Sequence, residues 1–229
     1  MEIFCKKMLA NYSEFFKEKY KQEVYPNQDV KSCLSLITKC IEFNPDYVID
    51  IGTNYGASTL SFAYALKKLG KDLSCLTTVD MEASYWKNTI SRVQCDLMGE
   101  YDINPYRIKV VTSDFKVLDP KKIIPENSKI FLFYDIHDIL SFSFFEKFIK
   151  DWAPLLKGAY IGIHDISLVP KDFQFIGEDD PDYPHINADH FSGKTVNGFI
   201  ECKVIMDWLN SIGKDFYPVE NTSVIYIEM

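Results

Sequence analysis

The acidic and imidazole side chains best suited to chemistry in this chain stand where short apolar runs end. Leu76-Thr-Thr-Val-Asp80 closes on a carboxylate, and Val111-Thr-Ser113-Asp114 on a hydroxyl and a carboxylate. Phe131-Leu-Phe-Tyr-Asp135-Ile-His137-Asp138 runs from aromatic residues into a dense polar cluster, and Gly158-Ala-Tyr-Ile-Gly-Ile-His164-Asp165 repeats the arrangement. Groups of this kind are costly to bury without partners, so they are solvated, hydrogen-bonded together, or set to bind a metal or move a proton. Carboxylate oxygens suit Mg²⁺, and an added imidazole also suits Mn²⁺ or Fe²⁺. His137 and His164 are candidate general bases, since imidazole changes charge near neutral pH, and Asp138 is the alternative partner in that role.

A second segment, Val48-Ile-Asp50-Ile-Gly52-Thr53-Asn-Tyr55-Gly56-Ala-Ser58, reads as strand, glycine turn and helix start. Gly52 permits a tight turn and Gly56 a close approach of backbone to a ligand. The pattern is D-x-G-x-x-x-G, not the G-x-G-x-x-G that places a pyrophosphate on a helix N-terminus. An acid before the turn suits a ligand with an ammonium group, and an acid at the next strand's tip, here Asp80, suits ribose hydroxyls. With Ser113 and Asp114 at the third tip, the three tips favour a nucleoside ligand over an empty turn.

The elements that must position these tips alternate. Helical spacing carries Phe4, Met8, Leu9, Tyr12, Phe15 and Phe16, and after Tyr25-Pro26-Asn27 a second helix runs through Val30, Leu34, Ile37 and Ile41. Strands are expected at Tyr47–Ile51, Leu76–Val79, Ile108–Thr112, Ile130–Tyr134 and Tyr160–Ile163, with helices at Ser58–Leu69, Tyr85–Met98 and Phe142–Leu156. A polar, acidic stretch, Leu168–Gly198, reads as a lid or a mobile surface loop, and carries Glu178, Asp179, Asp180, His185 and His190. A helix through Ile200, Val204, Ile205, Trp208 and Leu209 precedes two terminal strands, Phe216–Val219 and Val224–Ile227. Alternation of this kind predicts an α/β fold with a doubly wound, mostly parallel seven-stranded sheet. A single domain is expected over 1–229: helical extension 1–44, cofactor-binding core 45–166, lid 167–198, terminal helix and strands 199–229.

Over about Tyr47 to Ile166 the sequence resembles the class I S-adenosylmethionine (SAM)-dependent methyltransferases. The later half, with Trp152-Ala-Pro-Leu-Leu-Lys-Gly158 and Ile163-His-Asp-Ile166, resembles the sugar and natural-product O-methyltransferases and cephalosporin hydroxylase-like proteins of that superfamily. The resemblance implies a Rossmann-like fold with SAM held by Asp50, Gly52, Thr53, Tyr55, Gly56, Ser58, Asp80, Met81, Ser113, Asp114 and Asp135. It implies Asp135, His164 and Asp165 as ligands for Mg²⁺ or another divalent cation, and a small hydroxylated acceptor, a sugar by subgroup resemblance. The chain departs from the subgroup at Asp138, where a His is more usual. An NAD-dependent oxidoreductase and a SAM-binding protein without catalysis are the competing readings. Asn104-Pro105-Tyr106 superficially resembles an amine-methylation motif but precedes the third strand, so it is read as a turn.

Composition bounds the rest. The chain has 229 residues, 47% hydrophobic and 15% aromatic, and a formal charge of −8, which argues against a nucleic-acid partner. Cys5, Cys33, Cys40, Cys75, Cys95 and Cys202 form no CxxC pair and read as reduced core thiols. No signal peptide or apolar membrane span is evident, so a cytoplasmic location and no membrane partner are expected. The aromatic N-terminal helices are expected either to form a homodimer face or to cover the acceptor pocket.

Overall fold

The computed structural model describes residues 1–20, 30–82, 91–136, 143–164, 204–205, 207–219 and 224–229. Seven strands form one sheet: β1 (Tyr47–Ile51), β2 (Leu76–Asp80), β3 (Lys109–Thr112), β4 (Ile130–Tyr134), β5 (Tyr160–Ile163), β6 (Phe216–Pro218) and β7 (Ile225–Glu228). Their order is β3-β2-β1-β4-β5-β7-β6. β3 to β5 pair in parallel through β2, β1 and β4, while β7 runs antiparallel to both β5 and β6. The chain order reverses direction at β1, whose two neighbours are β2 and β4. In such sheets that is where ligands bind, at the carboxyl ends of the strands.

Both faces of the sheet are covered, which is why β4 is apolar throughout rather than alternating and why β1 and β2 are buried on both sides. On one face Val48, Leu76, Phe131, Phe133, Tyr160 and Tyr226 pack under α1 (Glu2–Tyr20), α2 (Val30–Phe43) and α3 (Ala57–Lys68). On the other, Ile49, Ile51, Val79, Leu132, Tyr134, Ile161 and Ile163 meet Phe145, Phe148, Trp152, Ile205, Trp208 and Leu209. Helix α2 presents Cys33, Leu36, Ile37 and Cys40 to the core at helical spacing. Packed against α2, α1, β1 and β2, α3 is buried at every residue from Ala57 to Leu66. The expected stripe on α1 is also buried, at Phe4, Met8, Tyr12 and Phe16. That stripe therefore covers the chain's own core.

Two expected helices differ in extent. The helix expected over Tyr85–Met98 is interrupted at Gln94 (φ −114°, ψ 9°), between helical Ser91–Val93 and α4 (Cys95–Glu100); residues 83–90 lie outside the described residues. The interruption has a cause in packing: fully buried Gln94 donates Nε2 to the Met8 carbonyl (2.9 Å) and accepts Asn11 Nδ2 (3.0 Å), hooking α1 to the body. The helix expected over Phe142–Leu156 is α-helical only at Ser143–Lys147 (α5), then π-helical at Phe148–Trp152 and 3₁₀ at Ala153–Leu155. Pro154 accounts for the end, since it offers no N–H to an α-helical bond. Pro105–Arg107 forms the expected turn, a 3₁₀ segment whose Asn104 side chain accepts Tyr106 N–H at 3.0 Å. Cys5, Cys33 and Cys40 are buried, Cys75 is half-buried and Cys95 exposed; Cys202 lies outside the described residues. Among the described residues no helix is long and apolar enough to cross a membrane.

Candidate functional site

Parallel registration makes neighbouring tips converge. Asp50 lies opposite Thr78 on β2 and Phe133 on β4, and Tyr134 lies opposite Ile163. Backbone bonds continue this register past the strand ends: Gly52 N–H donates to Val79 O (2.9 Å), Ser113 to Asp80 O (3.0 Å), Asp135 to Ile51 O (2.8 Å) and His164 to Tyr134 O (3.0 Å). Asp80, Ser113, the glycine turn, Asp135 and His164 thus share one edge of five adjacent strands.

Gly52 is required here for two reasons. Its φ is +98°, and a Cβ there would lie 2.1 Å from the Asp135 carbonyl oxygen. The glycine therefore lets the β1 turn sit against the exit of β4, as well as permitting the turn itself. Gly56 (φ 81°) forms the N-cap of α3. Asp80 braces the turn from the side: its Oδ2 accepts Asn54 N–H (2.7 Å) and its Oδ1 accepts Glu82 N–H (2.9 Å). Met81, next to it, is 62% exposed. Ser113 donates its hydroxyl to Asp114 O (3.2 Å), and the Asp114 carboxylate accepts Lys116 N–H (2.8 Å) to start a 3₁₀ turn.

Asp50 is wholly buried beneath the first turn of α3. Its Oδ2 accepts the hydroxyls of Ser58 (2.9 Å), Thr59 and Thr78 (3.5 Å), whereas its Oδ1 has no hydrogen-bond partner. Burial pushes its carboxyl up to about 7 against the lowering effect of the Thr59 and Ser58 hydrogen bonds, with nearby Asp135 and Asp80 adding to the rise. The hydroxyl of Thr53 meets that of Thr78, which lies 3.1 Å from the hydroxyl of Thr59. Of the cofactor residues expected from sequence, Thr53 and Ser58 thus turn their hydroxyls inward. Tyr55 is tied to α1: its carbonyl accepts the hydroxyl of buried Tyr12, and its ring packs edge-on against Phe16 at 4.6 Å.

On the other side of the glycine turn, His164 Nδ1 lies 3.0 Å from Asp135 Oδ1, with the His ring 1% exposed and packed 6.1 Å from the Phe133 ring. A carboxylate at this distance accepts Nδ1–H, which fixes the tautomer with its lone pair on Nε2. Two of the three expected metal ligands, Asp135 and His164, are therefore in contact. The third, Asp165, lies outside the described residues, as do His137, Asp138 and the loop 167–198. Among the described residues no group of three or more His, Cys, Asp or Glu gathers as a metal site.

Sequence reasoning missed Thr59, Thr78 and Tyr12. The signal for Thr78 was present: a pair of threonines inside an otherwise apolar strand, with Asp50 on the strand before. Only the β1–β2 register shows that Thr78, not Thr77, faces the carboxylate. For Tyr12, helical spacing indicated burial, but nothing local indicated its partner.

No family model matches the sequence, and no curated protein matches it. Solved structures do match over nearly the full chain. SAH-bound methyltransferase PaMTH1 of Podospora anserina is 12% identical, with a TM-score of 0.61, covering 99% of this chain and 92% of that one. The O-methyltransferase TomG of Streptomyces achromogenes, involved in tomaymycin synthesis and bound to SAM, is 12% identical (TM-score 0.60; 99% and 89% covered). A methyltransferase of Geobacter sulfurreducens is 13% identical (TM-score 0.52; 97% and 90% covered). The likeness establishes the fold: a Rossmann-like methyltransferase sheet with flanking helices.

Proposed function

We propose that this chain is a SAM-dependent O-methyltransferase acting on a hydroxyl of a small molecule, with a sugar or natural product as the acceptor class. The observation that carries the reading is the juxtaposition of a buried carboxylate with an unpartnered oxygen, Asp50, and the Asp135–His164 pair on either side of one glycine turn. The residues present fit a cationic nucleoside. Among the described residues, the groups acting on Asp50 include two carboxylates, Asp80 and Asp135, and no cation, so a positively charged ligand group is favoured there. Asp80 at the β2 tip would take the ribose hydroxyls, with Met81, Ser113 and Asp114 beside the base. A dinucleotide fits less well, because the first turn of α3, where a pyrophosphate would sit, already faces the Asp50 carboxylate.

Bound SAM supplies a methyl group made electrophilic by its sulfonium. The protein's part is to orient the acceptor hydroxyl, exclude water and take up its proton. His164 Nε2 is the base, and Asp135 is the positioning residue that holds the imidazole in its tautomer and stabilises the imidazolium once formed. A divalent cation held by Asp135, His164 and Asp165 would instead lower the hydroxyl's pKa. Dialysis against EDTA separates the two routes: retained turnover assigns the proton to the imidazole, and turnover lost and then restored by Mg²⁺ assigns it to the metal.

Calorimetric titration with S-adenosylhomocysteine (SAH) tests the cofactor, and SAH release from SAM with a panel of hydroxylated sugars and phenols tests the reaction. Asp80→Ala is expected to weaken SAH binding at least about tenfold. His164→Ala is expected to cut turnover by about 10²-fold or more while leaving SAH affinity within about twofold. A wild-type protein that takes up no SAH would overturn the proposal.

A further inference from the structure

The buried hydroxyls around Asp50 are placed unevenly. Ser58, Thr59 and Thr78 all act on Oδ2, and none acts on Oδ1. A carboxylate buried in this way normally has hydrogen bonds to both oxygens, because an unsatisfied polar atom costs about 1–3 kcal/mol. Such asymmetry suits a group whose second oxygen is reserved for a ligand. The hydroxyls come from two elements, Ser58 and Thr59 from the first turn of α3 and Thr78 from the centre of β2. They therefore pin the carboxylate plane from above and from the side. Thr53 adds a link: its hydroxyl meets that of Thr78, joining the glycine turn to the same chain. All four hydroxyl residues are at most 3% exposed, so water does not compete for these bonds.

We propose that Thr59 and Thr78 are positioning residues for cofactor recognition, holding Asp50 so that its Oδ1 is presented to the α-ammonium group of the cofactor's amino-acid tail. The inference rests on the SAM reading above and deepens it, by assigning selectivity for the amino group to buried residues that need not touch the ligand. Oriented by the threonines, Asp50 recognises a cation through one fixed oxygen, and the two acids nearby, Asp80 and Asp135, add to the attraction. Without the hydroxyls the carboxyl turns or keeps its proton, and recognition of the amino group fails while the nucleoside contacts remain.

The test compares two probes by calorimetry: SAH, and its des-amino analogue, in which hydrogen replaces the α-amino group. Wild-type protein is expected to bind SAH at least about tenfold more tightly than the analogue. Thr78→Val and Thr59→Val are each expected to remove most of that preference, weakening SAH by about tenfold while leaving the analogue within about twofold. Thr78→Ser, which keeps the hydroxyl, is expected to restore it. The analogue also serves as the folding control, since a variant with a damaged sheet would lose both probes alike. Equal losses for SAH and analogue in the valine variants would overturn the inference, as would a wild-type protein that does not distinguish the two. A wild-type protein that binds neither probe would instead remove the cofactor reading on which the inference stands.

Discussion

At the scale of single residues, Asp50 decides most about this site. A carboxyl whose usual value of 3.8 is pushed up to about 7 stays protonated in the folded chain over a range where the unfolded chain has released its proton. The folded state then binds more protons than the unfolded one between about pH 4 and 7, so stability falls as pH rises through that window. The shift corresponds to a loss on the order of 4 kcal/mol across it. Asp50→Asn is expected to flatten this slope in urea melts at pH 5 and pH 8 without lowering stability at pH 5; a slope unchanged by the substitution would refute this account. An acid before the glycine turn was legible in the sequence. Its complete burial and one-sided hydrogen bonding were not, because they depend on which residues β2 and α3 place against it.

At the scale of elements, α1 matters more than an N-terminal extension need. Its buried stripe was evident from helical spacing alone. Its function as a clasp on the glycine turn was not, since Tyr12 and Tyr55 are far apart in sequence and their contact requires α1 to cross the start of α3. The bond has a physical purpose: the half-buried Tyr55 carbonyl gains a donor from a side chain that is itself fully buried. Tyr12→Phe keeps the ring and deletes that donor. It is expected to cost about 1–2 kcal/mol in urea unfolding and to weaken SAH binding by loosening the turn. Unchanged stability and unchanged SAH affinity together would show that α1 does not support the turn. Gln94 makes the same point within a turn of Tyr12, at Met8 and Asn11 of α1. Its side chain bonds α1 and interrupts its own helix, an outcome that helical periodicity cannot anticipate.

At the scale of the whole molecule, the antiparallel β7 closes the core beside the candidate base. Gly162 on β5 makes room for it, because a Cβ there would come within 2.9 Å of Tyr226 Cε1 and 3.0 Å of Phe133 Cδ2. Tyr226 in turn shares a hydrogen bond with Ser35 on α2, tying the far strand to the helical layer. Gly162→Ala is expected to lower stability by about 1–3 kcal/mol through overpacking, read as a reduced urea midpoint; a midpoint equal to wild type would mean that this seam repacks freely. The sequence by itself determined the alternation of strands and helices, hence a sheet covered on both faces, and it put an acid, a glycine turn or an imidazole at each strand tip. Those features are local, being carried by apolar runs and turn residues a few positions apart. Tertiary structure alone decided that the tips adjoin in the order Asp80, glycine turn, Asp135, His164, that Asp135 meets His164, and that Thr78 faces Asp50. Each of these needs the strand order and register, which follow from how distant segments bury their apolar faces against one another and which no local pattern encodes.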